Sequence, residues 1–311
     1  MGVFVLLPLV LPLTAWPIAR LAELHLHPRT ATRLLTGVAT VMAVCSSVCL
    51  GLLMVVGTAQ LPGNPLPDDW SDPEVRATVP YDEVAGKAAI PALLLVVAAC
   101  GRVLWRHRRV RRRAHRALAG LPGTEVAVLP DEAPYAYALP GGGARGRVVV
   151  TTALLAALEP AERRSLFAHE RAHLAARHHR FLLAAQLATC ANPFLLPLRT
   201  AVSYTTERWA DEEAARIVGS RRVVARAIGK AALVSRGTPG LRLAGFAAPG
   251  PVPRRVAALL RPAPAARSWP SAFTAAGIAA WAAAAGTAAS AMSSANSAVT
   301  MVLILHAATP L

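Results

Sequence analysis

The sequence His169-Glu170-Arg171-Ala172-His173 lies in a segment that begins at Pro160 and is predicted to be a helix running to about His179. Its two histidines project from one helix face, because four residues advance only about 40° beyond a full turn. Glu170 lies about 100° around the helix from His169, where it can reach a metal-held water without being a ligand. The pattern predicts a zinc site with His169 and His173 as ligands and Glu170 as the catalytic base.

The alternative is a surface helix with incidental histidines, since His178 and His179 show that histidine is locally common. Large apolar residues flank the motif, including Leu166, Phe167 and Leu174. Unpaired imidazoles are costly in apolar surroundings, which favours the metal site.

A catalytic zinc site needs a third protein ligand while one position stays open for water. The candidate is Glu207, in the sequence Glu207-Arg208-Trp209-Ala210-Asp211 on the next predicted amphipathic helix. Asp211 lies one turn further on the same face and could hold a ligating histidine through its second ring nitrogen. Glu212 and Glu213 are competing acids, which we expect to form a solvated edge.

The composition predicts a membrane protein. Hydrophobic residues make up 54% of the 311 residues and charged residues only 16%, with a mean hydropathy of +0.42. Residues 1–105 are predicted to hold three transmembrane helices, at about 3–19, 34–59 and 88–105, with an acidic extracytoplasmic loop over 60–87.

The charge distribution predicts the orientation of these helices. An arginine-rich run over 106–116 follows the third span directly, within a chain of net charge +16. Basic residues next to a span mark the cytoplasmic side, so we expect the active site on the cytoplasmic face of the cell membrane. The run lacks the interleaved aromatics of a single-strand binding surface, so no direct nucleic-acid binding is expected.

Residues 106–268 are predicted to form the water-facing domain. Strands are expected at Val126 to Leu129, Tyr135 to Leu139 and Arg147 to Thr151, followed by a helix from Ala153 to Glu159 capped by Thr151 or Thr152. A later helix, from about Val202 to Val218, carries Glu207.

An apolar segment, 181–198, separates the two halves of the predicted metal site and contains Asn192-Pro193. His173 and Glu207 must reach one ion, so this segment cannot be a single crossing that puts them on opposite sides. It is predicted to be membrane-associated and bent. Residues 269–311 are predicted to hold C-terminal transmembrane segments, one to about Ala291 and a short one from Ala298.

These motifs resemble the gluzincin metallopeptidases, over about Tyr135 to Leu260. The resemblance includes integral-membrane proteases of the BlaR/MecR antirepressor type, which the short Asn192-Pro193 segment favours, and the related HtpX-like and CAAX-prenyl proteases. It implies a mainly α multi-pass membrane protein with an α+β zincin-like domain and one Zn²⁺ per chain. It also implies an edge strand that holds an extended substrate, for which Arg147 to Thr151 is the candidate.

The sequence therefore predicts a membrane-embedded, zinc-dependent endopeptidase whose partners are the lipid bilayer and a peptide or protein substrate. By resemblance to the BlaR/MecR group, that substrate would be a cytoplasmic transcriptional repressor. The alternatives are an HtpX-like quality-control protease and a catalytically inactive membrane sensor or scaffold. The intact set of His169, Glu170, His173 and Glu207 argues against the inactive protein.

Overall fold

The computed structural model describes residues 6–61, 63, 82–121, 124–141, 146–235, 252–264 and 273–307. These residues form a mainly helical protein with one three-stranded sheet. The helices are α1 (Leu7–Val10), α2 (Ala15–His25), α3 (Pro28–Ala59), α4 (Asp82–Ala117), α5 (Thr152–Ala157), α6 (Pro160–Ala175), α7 (His178–Ala191), α8 (Leu196–Val218), α9 (Arg221–Val234), α10 (Val252–Leu260) and α11 (Ala275–Ala307). The strands are β1 (Val126–Leu129), β2 (Ala136–Leu139) and β3 (Arg147–Thr151).

Within the described residues, three helical segments are long and apolar enough to cross a membrane: Leu7–His25, Pro28–Ala59 and Glu83–Ala117. The predicted C-terminal spans within 269–311 are not among them. The third continues through the arginine-rich run, because arginine is a good helix former and no breaker interrupts it. The predicted boundary between residues 105 and 106 therefore lies inside α4. Most of the predicted acidic loop, 60–87, lies outside the described residues, but its end forms the first turns of α4.

The α3 and α4 helices are antiparallel. Gly57, near the end of α3, lies against the backbone of Gly86, near the start of α4, at a distance that leaves no room for a Cβ atom. The start of α3 therefore lies at the same end of the pair as the arginine-rich run of α4.

The sheet has the strand order β1-β3-β2. Strand β3 pairs in parallel with β1 and antiparallel with β2. The strand predicted to be the substrate-binding edge, Arg147–Thr151, is therefore the central strand, and that prediction was wrong. Its residues Val148, Val149 and Val150 are fully buried, as a central strand requires.

The metal-motif helix ends earlier than its sequence predicts. The α6 helix stops at Ala175, and Arg177 adopts a left-handed conformation with φ 54° before α7 begins at His178. A continuous helix to His179 was therefore wrong. The turn places His178 against Trp209 of α8, with ring centroids 4.6 Å apart, a contact between distant residues that local propensity cannot reveal.

The apolar segment 181–198 is bent, with the bend at Asn192. The side-chain Oδ1 of Asn192 accepts a hydrogen bond from the Phe194 N–H at 3.0 Å. A short 3-10 helix over Pro193–Leu195 then leads into α8. The α7 helix has 14 residues and is about 21 Å long, shorter than the ~30 Å apolar core of a bilayer.

Two of the long apolar segments, Leu7–His25 and Pro28–Ala59, share one hydrophobic core with α8, the helix that carries Glu207. Buried residues of α2, α3, α7 and α8 pack in a single cluster that includes Leu35, Leu198 and Val202. Thr32 of α3 donates a hydrogen bond to Thr205 of α8 at 3.0 Å. At the C-terminal side, α11 is one continuous helix where the sequence suggested two segments, because no glycine or proline interrupts residues 287–307.

Candidate active site

The predicted metal ligands lie together in a buried cleft between α6 and α8. His169 Nε2 is 3.1 Å from His173 Nε2. The two carboxylate oxygens of Glu207 lie 3.5 Å from His169 Nε2 and 3.6 Å from His173 Nε2. Among the described residues, these three form the group of ligand atoms that could hold a metal ion, all within 4.8 Å of one another.

This spacing fits zinc. Ligand atoms about 2.0–2.2 Å from a tetrahedral ion lie roughly 3.3–3.6 Å apart, close to the three distances observed. Two imidazole nitrogens and one carboxylate oxygen are also the donor set of a catalytic zinc site, which leaves the fourth position for water.

Asp211 lies beside His169, the candidate ligand that directly precedes Glu170 in the sequence. Its Oδ1 lies 3.0 Å from His169 Nδ1, the ring nitrogen that faces away from the ligand group. The Asp211 side chain is fully buried. A carboxylate in this position fixes the orientation of an imidazole whose other nitrogen binds metal.

Arg255 of α10 joins the two buried acids of α8. Its guanidinium donates to both carboxylate oxygens of Asp211, at 2.9 and 2.6 Å, and its Nη1 lies 2.8 Å from Glu207 Oε2. Arg255 is itself only 7% exposed, so the three groups form a buried ionic cluster. Such bidentate geometry holds carboxylates rigidly.

His173, the other candidate histidine ligand, also has a hydrogen-bond partner at its Nδ1 atom. His178 Nδ1 lies 2.9 Å from His173 Nδ1, so one nitrogen of this pair carries the proton and the other accepts it. His178 is almost fully buried, and its ring packs against Trp209. The partner of each candidate histidine ligand is therefore fixed by packing.

Glu170 faces the sheet. Its carboxylate is 9% exposed and interacts with the backbone N–H of Ala138 in β2. Tyr135, the residue directly before Ala136, exchanges backbone and side-chain hydrogen bonds with Thr151 of β3. Strand alternation then turns the backbone N–H and C=O of Ala136 and Ala138 away from β3, toward Glu170. The edge beside the site is therefore β2, where the sequence had pointed to β3.

Burial and charge set the protonation of these groups. Burial raises the pKa of Glu170 to about 7, poised for proton exchange near neutrality. Burial lowers the pKa of His173 to about 4, so this ring is neutral. Burial also disfavours the charged form of His169, but Asp211 and Glu207 outweigh it and raise that pKa to about 10.

The acids behave differently. Burial by itself would raise the pKa of Glu207 and of Asp211, but Arg255 and the neighbouring histidines together more than offset this effect and hold both below their usual range. The two carboxylates therefore stay charged, and they draw a positive charge onto His169 in the metal-free protein. A site with this electrostatic balance favours a cation.

The remaining acids of α8 are not equivalent. Glu213 is partly exposed and pairs with Arg216, as a solvated edge predicts. Glu212 is not solvated: its side chain is 12% exposed and pairs with Arg208 at 2.7 Å and Arg221 at 2.8 Å. The expectation for Glu212 was wrong, because Arg221 comes from the next helix.

Sequence reasoning missed two contributors to the site. Arg255 appeared only as part of a resembling segment, although two acids on one buried helix face required a nearby cation. His178 was regarded as an incidental histidine. Its position five residues after His173 gave no signal until the turn at Arg177 was known.

Comparison with known proteins supports a metallopeptidase. The profile described as peptidase family M48 matches residues 102–196, which include the sheet, His169, Glu170 and His173 but stop before Glu207. A "Protease HtpX homolog" of Methanocaldococcus jannaschii is 34% identical over 92 residues, which is 30% of this chain and 31% of the relative. The match therefore spans about a third of that curated protein. No solved structure matches the chain. These similarities support a membrane-associated metallopeptidase of the M48 type, and neither concerns the BlaR/MecR group.

Proposed function

We propose that the chain is a membrane-embedded zinc endopeptidase, with His169, His173 and Glu207 as the metal ligands and Glu170 as the catalytic base. The observation that carries this proposal is the convergence of three ligand atoms within 4.8 Å beside a buried carboxylate. The M48 and HtpX similarities agree with the same reaction class.

Zinc, when bound, supplies a Lewis acid that polarises a peptide carbonyl and makes water acidic enough to lose a proton near pH 7. Glu170 accepts that proton and later gives it to the departing amine. Its pKa of about 7 suits both directions of transfer. Asp211 and His178 hold the two imidazoles in place through their Nδ1 atoms.

The substrate backbone binds along the free edge of β2. Ala136 and Ala138 direct their backbone N–H and C=O groups to this edge, and Ala138 lies against Glu170. An extended peptide added to this strand places its carbonyl groups next to the base and uses hydrogen bonds that do not depend on side chains.

Within this function, we favour HtpX-like processing of membrane proteins, because the curated relative is named as an HtpX homologue. The antirepressor alternative, cleavage of a cytoplasmic transcriptional repressor, rests on the sequence resemblance alone. Both place the active site on the cytoplasmic side of the cell membrane, at the end of α4 that carries the arginine-rich run.

The test uses the purified full-length protein and an unstructured protein such as casein. Glu170→Gln should keep stoichiometric zinc and lose hydrolysis, because only the base is removed. His169→Ala, His173→Ala and Glu207→Ala should each lose zinc. Glu213→Gln, an acid on the same helix as Glu207 but outside the cluster, is the control and should retain both.

If the zinc-loaded wild-type protein left casein intact, the peptidase assignment would be refuted. If Glu170→Gln hydrolysed casein at the wild-type rate, Glu170 would not be the catalytic base. If Glu207→Ala kept full zinc occupancy, the third ligand would have to be another acid. Comparison of the membrane and soluble proteomes of cells with wild-type or Glu170→Gln protein would then separate a membrane-protein substrate from a repressor.

A further inference from the structure

A groove separates the first half of α3 from the middle of α11. This open groove has a volume of about 890 Å³, within the usual range for a small-molecule site. Its α3 wall runs from Arg29 to Val41, about 18 Å along the helix axis. Its α11 wall is made of small residues, including Ala284 and Ala288, both of which are exposed.

The groove has one basic end and one apolar end. Arg29 and Arg33 lie at the start of α3, and Leu34, Val38 and Val41 follow along the same wall. No Asp or Glu is among the lining residues. An elongated site with this polarity matches a molecule with an anionic head and a hydrocarbon tail.

The two arginines are available to an anion. Neither lies within ion-pair distance of a carboxylate in the part of the chain that the structure describes. The nearby acids of α8 have other partners, since Glu212 pairs with Arg208 and Arg221, and Glu213 with Arg216. Instead, both guanidinium groups lie over the ring of Trp209 of α8, at 5.6 and 5.5 Å from its centroid.

The groove also has the right depth in the membrane. The start of α3 lies at the end of the bundle that carries the arginine-rich run, which is the predicted cytoplasmic interface. From Leu34 to Val41 the apolar wall extends about 10 Å, roughly a third of the ~30 Å apolar thickness and therefore within one leaflet.

We propose that this groove binds one anionic phospholipid, with the phosphate at Arg29 and Arg33 and an acyl chain between α3 and α11. Basic pockets between membrane helices on the cytoplasmic side suit acidic headgroups. Gly37 lies on the α3 wall with open space where a Cβ would be, and so leaves the acyl chain room to lie against the helix. The inference depends on membrane insertion and not on the peptidase activity.

The test is native mass spectrometry of the delipidated full-length protein in detergent, titrated with phosphatidylglycerol or with phosphatidylcholine of identical acyl chains. Arg29→Ala/Arg33→Ala removes the headgroup contacts, and Arg112→Ala/Arg113→Ala removes the same charge from exposed positions of α4. Gly37→Leu fills the groove. Gly51→Leu is its matched control, since Gly51 lies on the same helix and also has open space at its Cβ position.

We expect one tightly held phosphatidylglycerol per chain and at least tenfold weaker binding of phosphatidylcholine. Arg29→Ala/Arg33→Ala should weaken phosphatidylglycerol binding about 30-fold, or about 2 kcal/mol, from two basic contacts. Gly37→Leu should abolish the single tight site, and both controls should retain it.

Three results would overturn the proposal. Equal retention of the two lipids would indicate a purely apolar groove. Equal losses in the groove variants and their controls would indicate a general basic belt. Displacement of the lipid by millimolar glycerol 3-phosphate would indicate a small-anion site without an acyl-chain groove.

Discussion

Replacing Asp211 by alanine tests the arrangement around the candidate metal ligands most directly. The carboxylate has three contacts: one with His169 Nδ1 at 3.0 Å and two with Arg255 at 2.6 and 2.9 Å. Asp211→Ala would leave Arg255 buried with Glu207 as its remaining carboxylate partner. It would also free the His169 ring to rotate.

Asp211→Ala should lower both the free energy of unfolding and the zinc affinity, and the two effects have separate magnitudes. Removing one partner of a buried ion pair typically lowers the free energy of unfolding by about 3–5 kcal/mol. Removing the group that orients a metal-binding histidine weakens metal affinity about 10 to 100-fold, which is about 1.4–2.8 kcal/mol. Glu213→Ala is the control, since its partner Arg216 is exposed and such surface pairs contribute about 0–1 kcal/mol.

Both quantities can be measured on the full-length protein in detergent. Denaturant unfolding of the metal-free protein, followed by tryptophan fluorescence, gives the stability loss. Competition with a chelating fluorophore gives the zinc dissociation constant. If Asp211→Ala matched Glu213→Ala in both measurements, Asp211 would have no part in the site and the buried cluster would be misassigned.

Three further predictions concern protons, a histidine partner and topology. Because the pKa of His169 is raised to about 10 whereas that of His173 is lowered to about 4, zinc binding by Glu170→Gln at pH 6 should release about one proton, from His169. Glutamine removes the titration of Glu170, and pH 6 lies below the pKa of about 7 of a zinc-held water. Calorimetry in buffers of different ionisation enthalpy would measure the release, and release of two protons would contradict a neutral His173. His178→Phe should weaken zinc affinity about 10 to 100-fold and His179→Phe should not, and equal dissociation constants would exclude a positioning role for His178. A reporter fused after Ala119 should be cytoplasmic and one inserted near Asp69 external, and reversed signals would invert the proposed sides.

Local patterns in the sequence were sufficient for much of this structure. The i, i+4 spacing of His169 and His173 places both rings on one face of a single helix, so their proximity follows from helix geometry. The ends of β1 and β3, and the stop of α8 at Gly219 with φ 78°, also follow from short-range signals. Each of these features depends on residues only a few positions apart.

The errors arose where distant residues decide the structure. Which strand lies at the edge depends on pairing between β2 and β3, and strand composition alone does not reveal it. The turn at Arg177 is stabilised by packing onto a helix about thirty residues later. Arg255 lies 44 residues from Asp211, so the cation of the buried cluster could be expected from charge balance but not identified.

The continuity of α8 has a practical consequence for work on this protein. Near the start of this helix, Leu198 and Val202 pack into the core with α3. Glu207 lies on the same helix, about 13 Å beyond Leu198 along the helix axis. A truncated fragment starting near residue 106 would lose α3, expose this apolar surface and free the helix that positions the carboxylate. Purification should therefore keep the whole chain, and detergents that loosen packing between helices should disrupt the candidate metal site before they unfold the sheet.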